Sequence, residues 1–148
     1  MNIEFQKALD KKRIVSFSQD KRLVKDELEE ARDDLYEARD RFKNRKYKYA
    51  TVTGYYSMFH SARALLYSRG YREKSHYYLI VALNSLFVDE GLLDEALVRE
   101  FHDAMVLRED ADYHGEFSTE GAETVLRIAE EFLNKAELLV KARGNTKK

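Results

Sequence analysis

The chain has 148 residues and a formal net charge of −1, with 36% charged residues and neither cysteine nor proline. This length fits one domain, and the lack of cysteine excludes disulfides, thiolate metal sites and cysteine nucleophiles, which favours a reducing, cytoplasmic setting. The near-neutral charge creates no overall field toward nucleic acid or a membrane, and no apolar run approaches the roughly 20 residues of a membrane span.

The spacing of apolar residues predicts helices along almost the whole chain. Residues 3–12 are expected to form a short amphipathic turn or two, within an N-terminal extension of about residues 1–17. Apolar positions then recur in steps of three and four, which predicts a helix over about 20–43 with one buried stripe. Residues 47–69 are apolar on more than one side and stop at Gly70, a residue that suits the left-handed end of a helix. This segment is predicted to be the central, most buried helix.

Three further helices are predicted after this central one. Suitable capping residues stand at their starts, namely Ser75, Asp94, and Ser118 or Thr119. The first should end near Gly91, and the last should run to about Arg143 and leave residues 144–148 as a frayed tail. Because short connections favour antiparallel neighbours, we predict one all-α domain over residues 1–148, an antiparallel up-and-down bundle of four to five helices.

The most basic stretch is RDRFKNRKYK, residues 39–48, at the end of the first long helix. Its candidate nucleic-acid-binding residues are Arg41, Lys43, Arg45 and Lys46. Such a patch could hold phosphates. Alternatively, the cations complement the helix dipole, since the earlier turns of the same helix are acidic, and this second interpretation is the simpler one.

Histidines and tyrosines supply further candidates. His60 lies inside the most apolar helix, where a hydrogen bond to a neighbour is a simpler explanation than a ligand or catalytic role. His76 and His102 are expected at the surface or the rim. No His-x-x-x-His pair occurs, so neither a metal site nor a cofactor is predicted. Tyrosines cluster over residues 47–78, where they suit a core or subunit interface, or could stack on single-stranded bases.

The segment LREDADYHGEF, residues 107–117, places Arg108 and His114 six positions apart. On a continuous helix the two side chains would point about 120° apart and lie roughly 9 Å apart along the axis, so they could not pair. A turn at the helix end, or the second subunit of an isologous dimer, could bring them together as a phosphate site. The simpler interpretation pairs Arg108 with Asp112 at i, i+4 and leaves His114 as a helix-ending residue.

Residues 54–76, GYYSMFHSARALLYSRGYREKSH, followed about thirty residues later by LREDADYH, resemble the HEPN superfamily, the higher eukaryote and prokaryote nucleotide-binding domains. The resemblance implies an antiparallel helical bundle, usually dimeric. In many members it also implies an Arg-x(4 to 6)-His motif with metal-independent endoribonuclease activity. Arg108 and His114 fit that motif, with Asp112 and Tyr113 as supporting residues. The resemblance further implies a toxin-like role beside a minimal nucleotidyltransferase partner, with RNA or a nucleotide as ligand.

Two points limit what this resemblance implies, and one of them is a departure of this sequence from the family pattern. Members that have the Ala-Asp-Tyr segment without the histidine are binding or scaffold proteins, so the enzymatic inference depends on His114. Some toxin members have a tyrosine two residues after the histidine, at which a partner adds AMP. Here that position is Glu116, so control by that route is in doubt. The alternatives to a nuclease are a non-catalytic module that binds a nucleotide or a protein partner, and a purely structural helical adaptor.

Overall fold

The structure, a computed structural model, describes residues 2–146, with side chains described through residue 142. The elements in chain order are α1 (Ile3–Asp10), β1 (Ile14–Ser16), α2 (Lys21–Lys43), α3 (Tyr47–Ser68), β2 (Tyr71–Glu73), α4 (His76–Leu83), a π-helical segment (Asn84–Val88), α5 (Glu95–His114) and α6 (Thr119–Thr146). The predicted all-α bundle is confirmed. It has six helices rather than four to five, because residues 3–10 form a separate helix.

The central position of α3 follows from its composition. It packs against α2, α5 and α6, and its largest fully buried side chains are Tyr55, Met58, Leu65 and Leu66. Gly54 allows α6 to come close, since a Cβ added there would lie 2.9 Å from Val125 Cγ1. The core is therefore built around one helix that is buried on most sides, as the sequence predicted.

Side chains that accept hydrogen bonds from backbone N–H groups begin the later helices where the sequence predicted. The Ser75 hydroxyl accepts from the Tyr78 amide at 3.5 Å, the Asp94 carboxylate from Ala96 at 2.9 Å, and the Ser118 hydroxyl from Gly121 at 2.9 Å. The last helix ends at Thr146, slightly beyond the predicted Arg143. Lys147 and Lys148 lie outside the described residues, so fraying of the tail stays a prediction.

A two-stranded antiparallel sheet joins the N-terminal segment to the chain after α3. Ile14 pairs with Glu73 and Ser16 with Tyr71. The apolar pattern of the sequence does not predict this sheet, because each strand has only three residues and the two are far apart in the chain. The segment before α2 is thereby attached to the bundle, with the apolar side chains of Phe5, Ala8 and Ile14 buried in the core.

Candidate functional site

The end of α5 fixes the positions of the predicted catalytic residues. The helix continues through His114 and stops because Gly115 adopts a left-handed conformation with φ of 65°, while the amide of Glu116 donates to the Asp110 carbonyl at 2.9 Å. Arg108 therefore lies in the last two turns, and His114 is the final helical residue. No turn of the backbone intervenes between the two side chains.

Arg108 points into the bundle rather than into solvent, and only 7% of its side chain is exposed. Its guanidinium carbon lies 5.2 Å from the ring centre of Tyr55, 5.5 Å from that of Tyr56 and 5.6 Å from that of Tyr113. The negative faces of aromatic rings attract a cation, so three rings hold this charge in place.

The polar contacts of Arg108 do not satisfy all of its N–H donors among the described residues. Nη1 donates to the Tyr113 hydroxyl at 3.2 Å, Asp112 Oδ2 lies 3.8 Å away, and the buried Nε has no hydrogen-bond partner among the described residues. Burial opposes the charge, but the hydrogen bond with Tyr113 and the nearby tyrosines raise the pKa of Arg108 above its ordinary value. The protonated guanidinium of Arg108 thus has no carboxylate closer than that of Asp112, at 3.8 Å, among the described residues. Both predicted supporting residues, Asp112 and Tyr113, contact it.

His114 lies on the surface at the end of α5. Within the part of the chain that the structure describes, no hydrogen bond or ion pair joins it to Arg108. A continuous helix separates the two side chains by about 120° and roughly 9 Å along the axis, which agrees with this arrangement. Two exposed rings flank the histidine, Tyr113 with 67% exposure and Phe117 with 52%. One subunit therefore presents Arg108 and His114 on different faces.

The histidine connected to Arg108 among the described residues is His76, which is expected from the sequence at the surface or the rim. It is half-buried, and its Nδ1 lies 2.7 Å from the hydroxyl of Tyr55, the same tyrosine that packs against Arg108. Burial and the charge of Arg108 lower the pKa of His76, so the imidazole is neutral near pH 7. Burial also raises the pKa of Tyr55, which keeps its phenol protonated.

The sequence near His76 contains a local pattern that could have singled out this histidine as a candidate site residue. Glu73 and His76 stand three positions apart across the start of α4, beside Lys74 and the Ser75 cap. Composition could not show that Tyr55, twenty-one residues earlier, would meet the imidazole. That contact depends on how α3 packs against α4.

The basic patch lies at the turn between α2 and α3. Lys43, Arg45 and Lys46 are exposed, whereas Arg41 is half-buried, 3.7 Å from Glu37 and 5.9 Å from the ring centre of Tyr49. Tyr55 lies eight residues, about 12 Å of helix, after the start of α3. The patch is thus about two turns of α3 away from the tyrosines around Arg108.

His60 on α3 forms a hydrogen bond with a neighbouring side chain, as predicted for a histidine in apolar surroundings, and the partner lies on α2. Its Nδ1 lies 2.9 Å from Glu27 Oε1, and its Nε2 lies 3.7 Å from Asp34 Oδ2. Glu30, Asp34 and His60 also offer one ligand atom each within 4.8 Å of one another, the kind of set that could hold a divalent cation. Carboxylates at a helix surface are common without an ion. Although burial opposes the charge of His60, the hydrogen bond with Glu27 and the nearby carboxylates raise its pKa, which favours an imidazolium that balances part of their charge.

No helix in the described part of the chain is long and apolar enough to cross a membrane.

Comparison with known proteins identifies the family. The family model described as "HEPN domain" matches residues 24–141, which is most of the chain and includes Arg108 and His114. The chain belongs to the HEPN domain family.

Relatives span similar lengths. The chain is 34% identical over 115 residues to "Putative toxin MJ0605" of Methanocaldococcus jannaschii, covering 77% of this chain and 86% of the relative. It is 29% identical over 119 residues to "Putative toxin MJ0142" of the same organism, covering 79% and 81%. It is 33% identical over 105 residues to a "UPF0332 protein" of Archaeoglobus fulgidus, covering 70% and 83%.

Proposed function

We propose that this HEPN protein is a toxin-like, metal-independent endoribonuclease that acts as a homodimer, with Arg108 and His114 as its catalytic residues. The observation that carries the proposal is the state of Arg108, a buried guanidinium held by three tyrosine rings, whose nearest carboxylate among the side chains that the structure describes lies 3.8 Å away. The family and the names of two relatives support the same class of protein.

The surroundings of Arg108 suit a group that stabilises a phosphorane. Electrostatic stabilisation is strongest when the charged group is fixed before reaction and shielded from water. The rings of Tyr55 and Tyr56 supply both conditions. Tyr113, the most exposed of the three rings, lies between the guanidinium and solvent, so we propose that it moves as RNA approaches. Asp112 is the remaining anion, and it orients the guanidinium from one helical turn away.

A dimer explains why Arg108 and His114 face apart within one subunit. The exposed rings of Tyr113 and Phe117 flank His114, and rings of this kind are enriched at subunit interfaces. Pairing this face with its copy across a two-fold axis would put two imidazoles and two guanidiniums around one cleft. The cleft would then contain both a base and an acid.

The reaction requires only groups from the protein and the RNA. The 2′-hydroxyl attacks the neighbouring phosphorus and gives its proton to one imidazole, which acts as general base. Arg108 stabilises the charge that grows on the phosphorane oxygens. The bond to the 5′-oxygen breaks as the other imidazole, protonated beforehand, donates its proton to that leaving group. The products are a 2′,3′-cyclic phosphate and a 5′-hydroxyl.

Three further parts of the proposal rest on the family and on charge. The patch of Arg41, Lys43, Arg45 and Lys46 contacts phosphates of the same RNA, outside the cleft. A minimal nucleotidyltransferase is the partner that restrains the toxin, by a route other than modification two residues after His114, where Glu116 stands. The protein and its RNA meet in the cytoplasm.

Cleavage of RNA by the purified protein in EDTA tests the proposal. We expect products that end in 2′,3′-cyclic phosphate, and a rate at least about 100-fold lower for Arg108→Ala and for His114→Ala, because each removes a group that acts only in the transition state. Arg99→Ala is the matched control, since Arg99 lies on the same helix with its side chain exposed and paired to Glu95. Activity that persists in both site variants would refute the assignment.

The separation of Arg108 from His114 within one subunit also favours a second function. A non-catalytic module would use Arg108 to hold the phosphate of a nucleotide, and His114 would take no part. Thermal melting with AMP, ATP or a short RNA distinguishes the two, because a bound ligand raises the melting temperature whether or not it is cut. Stabilisation by a nucleotide that depends on Arg108, without any cleavage of RNA, would favour this module.

A further inference from the structure

A groove of 650 Å³ lies between the two-stranded sheet and the start of α4, apart from the Arg-x5-His segment. The lining residues that matter here are Phe17, Phe59, Arg63, Arg72, Lys74 and His76. They come from the chain before α2, from α3, and from the short stretch that runs from β2 into α4. Four of the six carry a cationic or imidazole group.

Two of these cations lack a compensating carboxylate. Arg63 Nε lies 3.3 Å from Glu73 Oε2, without hydrogen-bond geometry, and that carboxylate side chain is only 5% exposed. Neither Arg72 nor Lys74 takes part in an ion pair among the described residues. Side chains alternate along an extended chain, so the Glu73 side chain, which also lines the groove, is buried while Arg72 and Lys74 are exposed on the same side. In a protein with a net charge of −1, this is a local excess of positive charge.

Aromatic rings hold the guanidiniums in the groove without neutralising them. The Arg63 carbon lies 5.2 Å from the ring centre of Phe59, and the Arg72 carbon lies 5.4 Å from that of Phe17. A guanidinium that stacks on a ring keeps its N–H groups at the edge of its plane, where phosphate oxygens can accept from them. The side chains are therefore partly fixed before any ligand arrives.

His76 connects this groove to Arg108. Its Nδ1 is engaged by the Tyr55 hydroxyl at 2.7 Å, and its Nε2 has no partner among the described residues. The ring of Tyr55 in turn lies 5.2 Å from the Arg108 guanidinium. His76 and Tyr55 thus lie between the groove, with its unpaired cations Arg72 and Lys74, and the buried Arg108 to which we assign a catalytic role.

We infer that this groove binds the backbone of single-stranded RNA, with Arg72 and Lys74 on successive phosphates and His76 Nε2 on the phosphate nearest Arg108. The inference rests on the proposed function for the identity of the ligand. An open groove with cations on its rim and ring faces in its wall suits an extended strand better than an enclosed small molecule.

Binding of RNA, measured separately from cleavage, tests the groove. All proteins are full-length and carry His114→Ala to prevent cutting, and the probe is a labelled 12-nucleotide single-stranded RNA followed by fluorescence anisotropy in EDTA. We expect Arg72→Glu with Lys74→Glu to weaken binding at least about tenfold. The slope of log K against log[salt] should also fall by about 1.4, since a single strand contributes about 0.7 for each phosphate contact.

The control makes the same change in charge elsewhere. Lys135→Glu with Lys141→Glu lies on α6, outside the groove lining, and should leave affinity within about twofold of the parent, since loss of charge alone has only a screened, long-range effect. A parent that does not bind RNA, a groove variant that binds as tightly as its parent, or a control that weakens binding as strongly as the groove variant would each overturn the inference.

A second pair of variants tests His76 with less change in charge. His76→Ala should weaken binding, and His76→Gln should restore part of it, because its amide lies near the position of Nε2 and can donate. Equal affinity for both variants and the parent would remove His76 from the site.

The experiments give different results if RNA does not bind in the groove and if Arg108 and His114 do not cleave RNA. If the protein with an intact His114 leaves RNA uncut while the groove variant still loses affinity, the groove is correct and the chemistry is wrong. If RNA is cut and the groove variant cuts it with an unchanged KM, the groove is wrong and the chemistry stands.

Discussion

Two half-buried histidines, His60 within α3 and His76 at the start of α4, differ in which charge state of the imidazole the fold favours. Burial alone would lower the pKa of His60, but the hydrogen bond with Glu27 and the charges of Glu27 and Asp34 raise it. Burial lowers the pKa of His76, and Arg108 lowers it further. The fold therefore favours an imidazolium at one position and a neutral imidazole at the other.

This difference predicts opposite effects of pH on stability. A raised pKa adds stability that is complete below the ordinary value of 6.5 and is lost as the pH rises through the folded pKa. A lowered pKa adds stability that is present above 6.5 and is lost as the pH falls through the folded pKa. From about pH 5 to about pH 8, the stability advantage of the wild type should shrink relative to His60→Gln and grow relative to His76→Gln.

Urea unfolding of the three proteins at several pH values measures these differences. Each variant serves as the control for the other, because both replace a half-buried imidazole by an amide. Two curves that change with pH in the same direction would show that the surroundings of at least one histidine have been misjudged.

At the scale of helices, Gly54 marks a close approach between α3 and α6. A methyl group on Gly54 would lie 2.9 Å from Val125 Cγ1, and a β-branched side chain has little freedom to move aside. Alanine would favour the helix by up to about 1 kcal/mol, but overpacking in a core typically costs about 1–3 kcal/mol. The steric effect should be the larger one.

We therefore expect Gly54→Ala to lower the free energy of unfolding by about 1–2 kcal/mol, measured by urea denaturation. The double variant with Val125→Ala removes the group that the methyl meets, so its loss should be smaller than the sum of the two single losses. Additive losses would show that the contact at Val125 does not limit the approach of the helices.

Helices and their starts could be predicted from the sequence because their signals are local. Ser75, Asp94 and Ser118 each lie two or three residues from the amide that they cap. The sheet could not be predicted, because its strands are short and their pairing depends on tertiary contacts. The prediction for the site was limited in the same way. Spacing predicted the contact of Arg108 with Asp112, and the family resemblance suggested Tyr113, whereas the contact between Tyr55 and His76 required the packing of α3 against α4.

At the scale of the whole molecule, the proposed chemistry requires a second subunit. Phe117 lies at the turn after α5 with 52% of its surface exposed, three residues from His114. A carboxylate there would be buried against its own copy in an isologous dimer, and burial of like charges is strongly unfavourable. The same change on an unpartnered surface would have little effect.

We expect light scattering to give the wild type a mass of about twice 17.4 kDa, and Phe117→Glu a mass close to one chain with cleavage reduced to the level of His114→Ala. Leu138→Glu on α6, a position with 63% exposure, is the control and should remain dimeric and active. A wild type that cuts RNA as a monomer, or a monomeric Phe117→Glu with full activity, would contradict the shared cleft.

The pairing of β1 with β2 has a consequence for colloidal behaviour. Residues 14–16 form hydrogen bonds with the backbone of β2. Without them, that side of β2 would be an open strand edge, and open edges can pair with strands from other chains. The match to the family model begins at residue 24, beyond this strand. A truncation made to that boundary would leave β2 as a template for strand exchange, and its product should aggregate even though α3, α5 and α6 are complete and α2 loses only its first three residues.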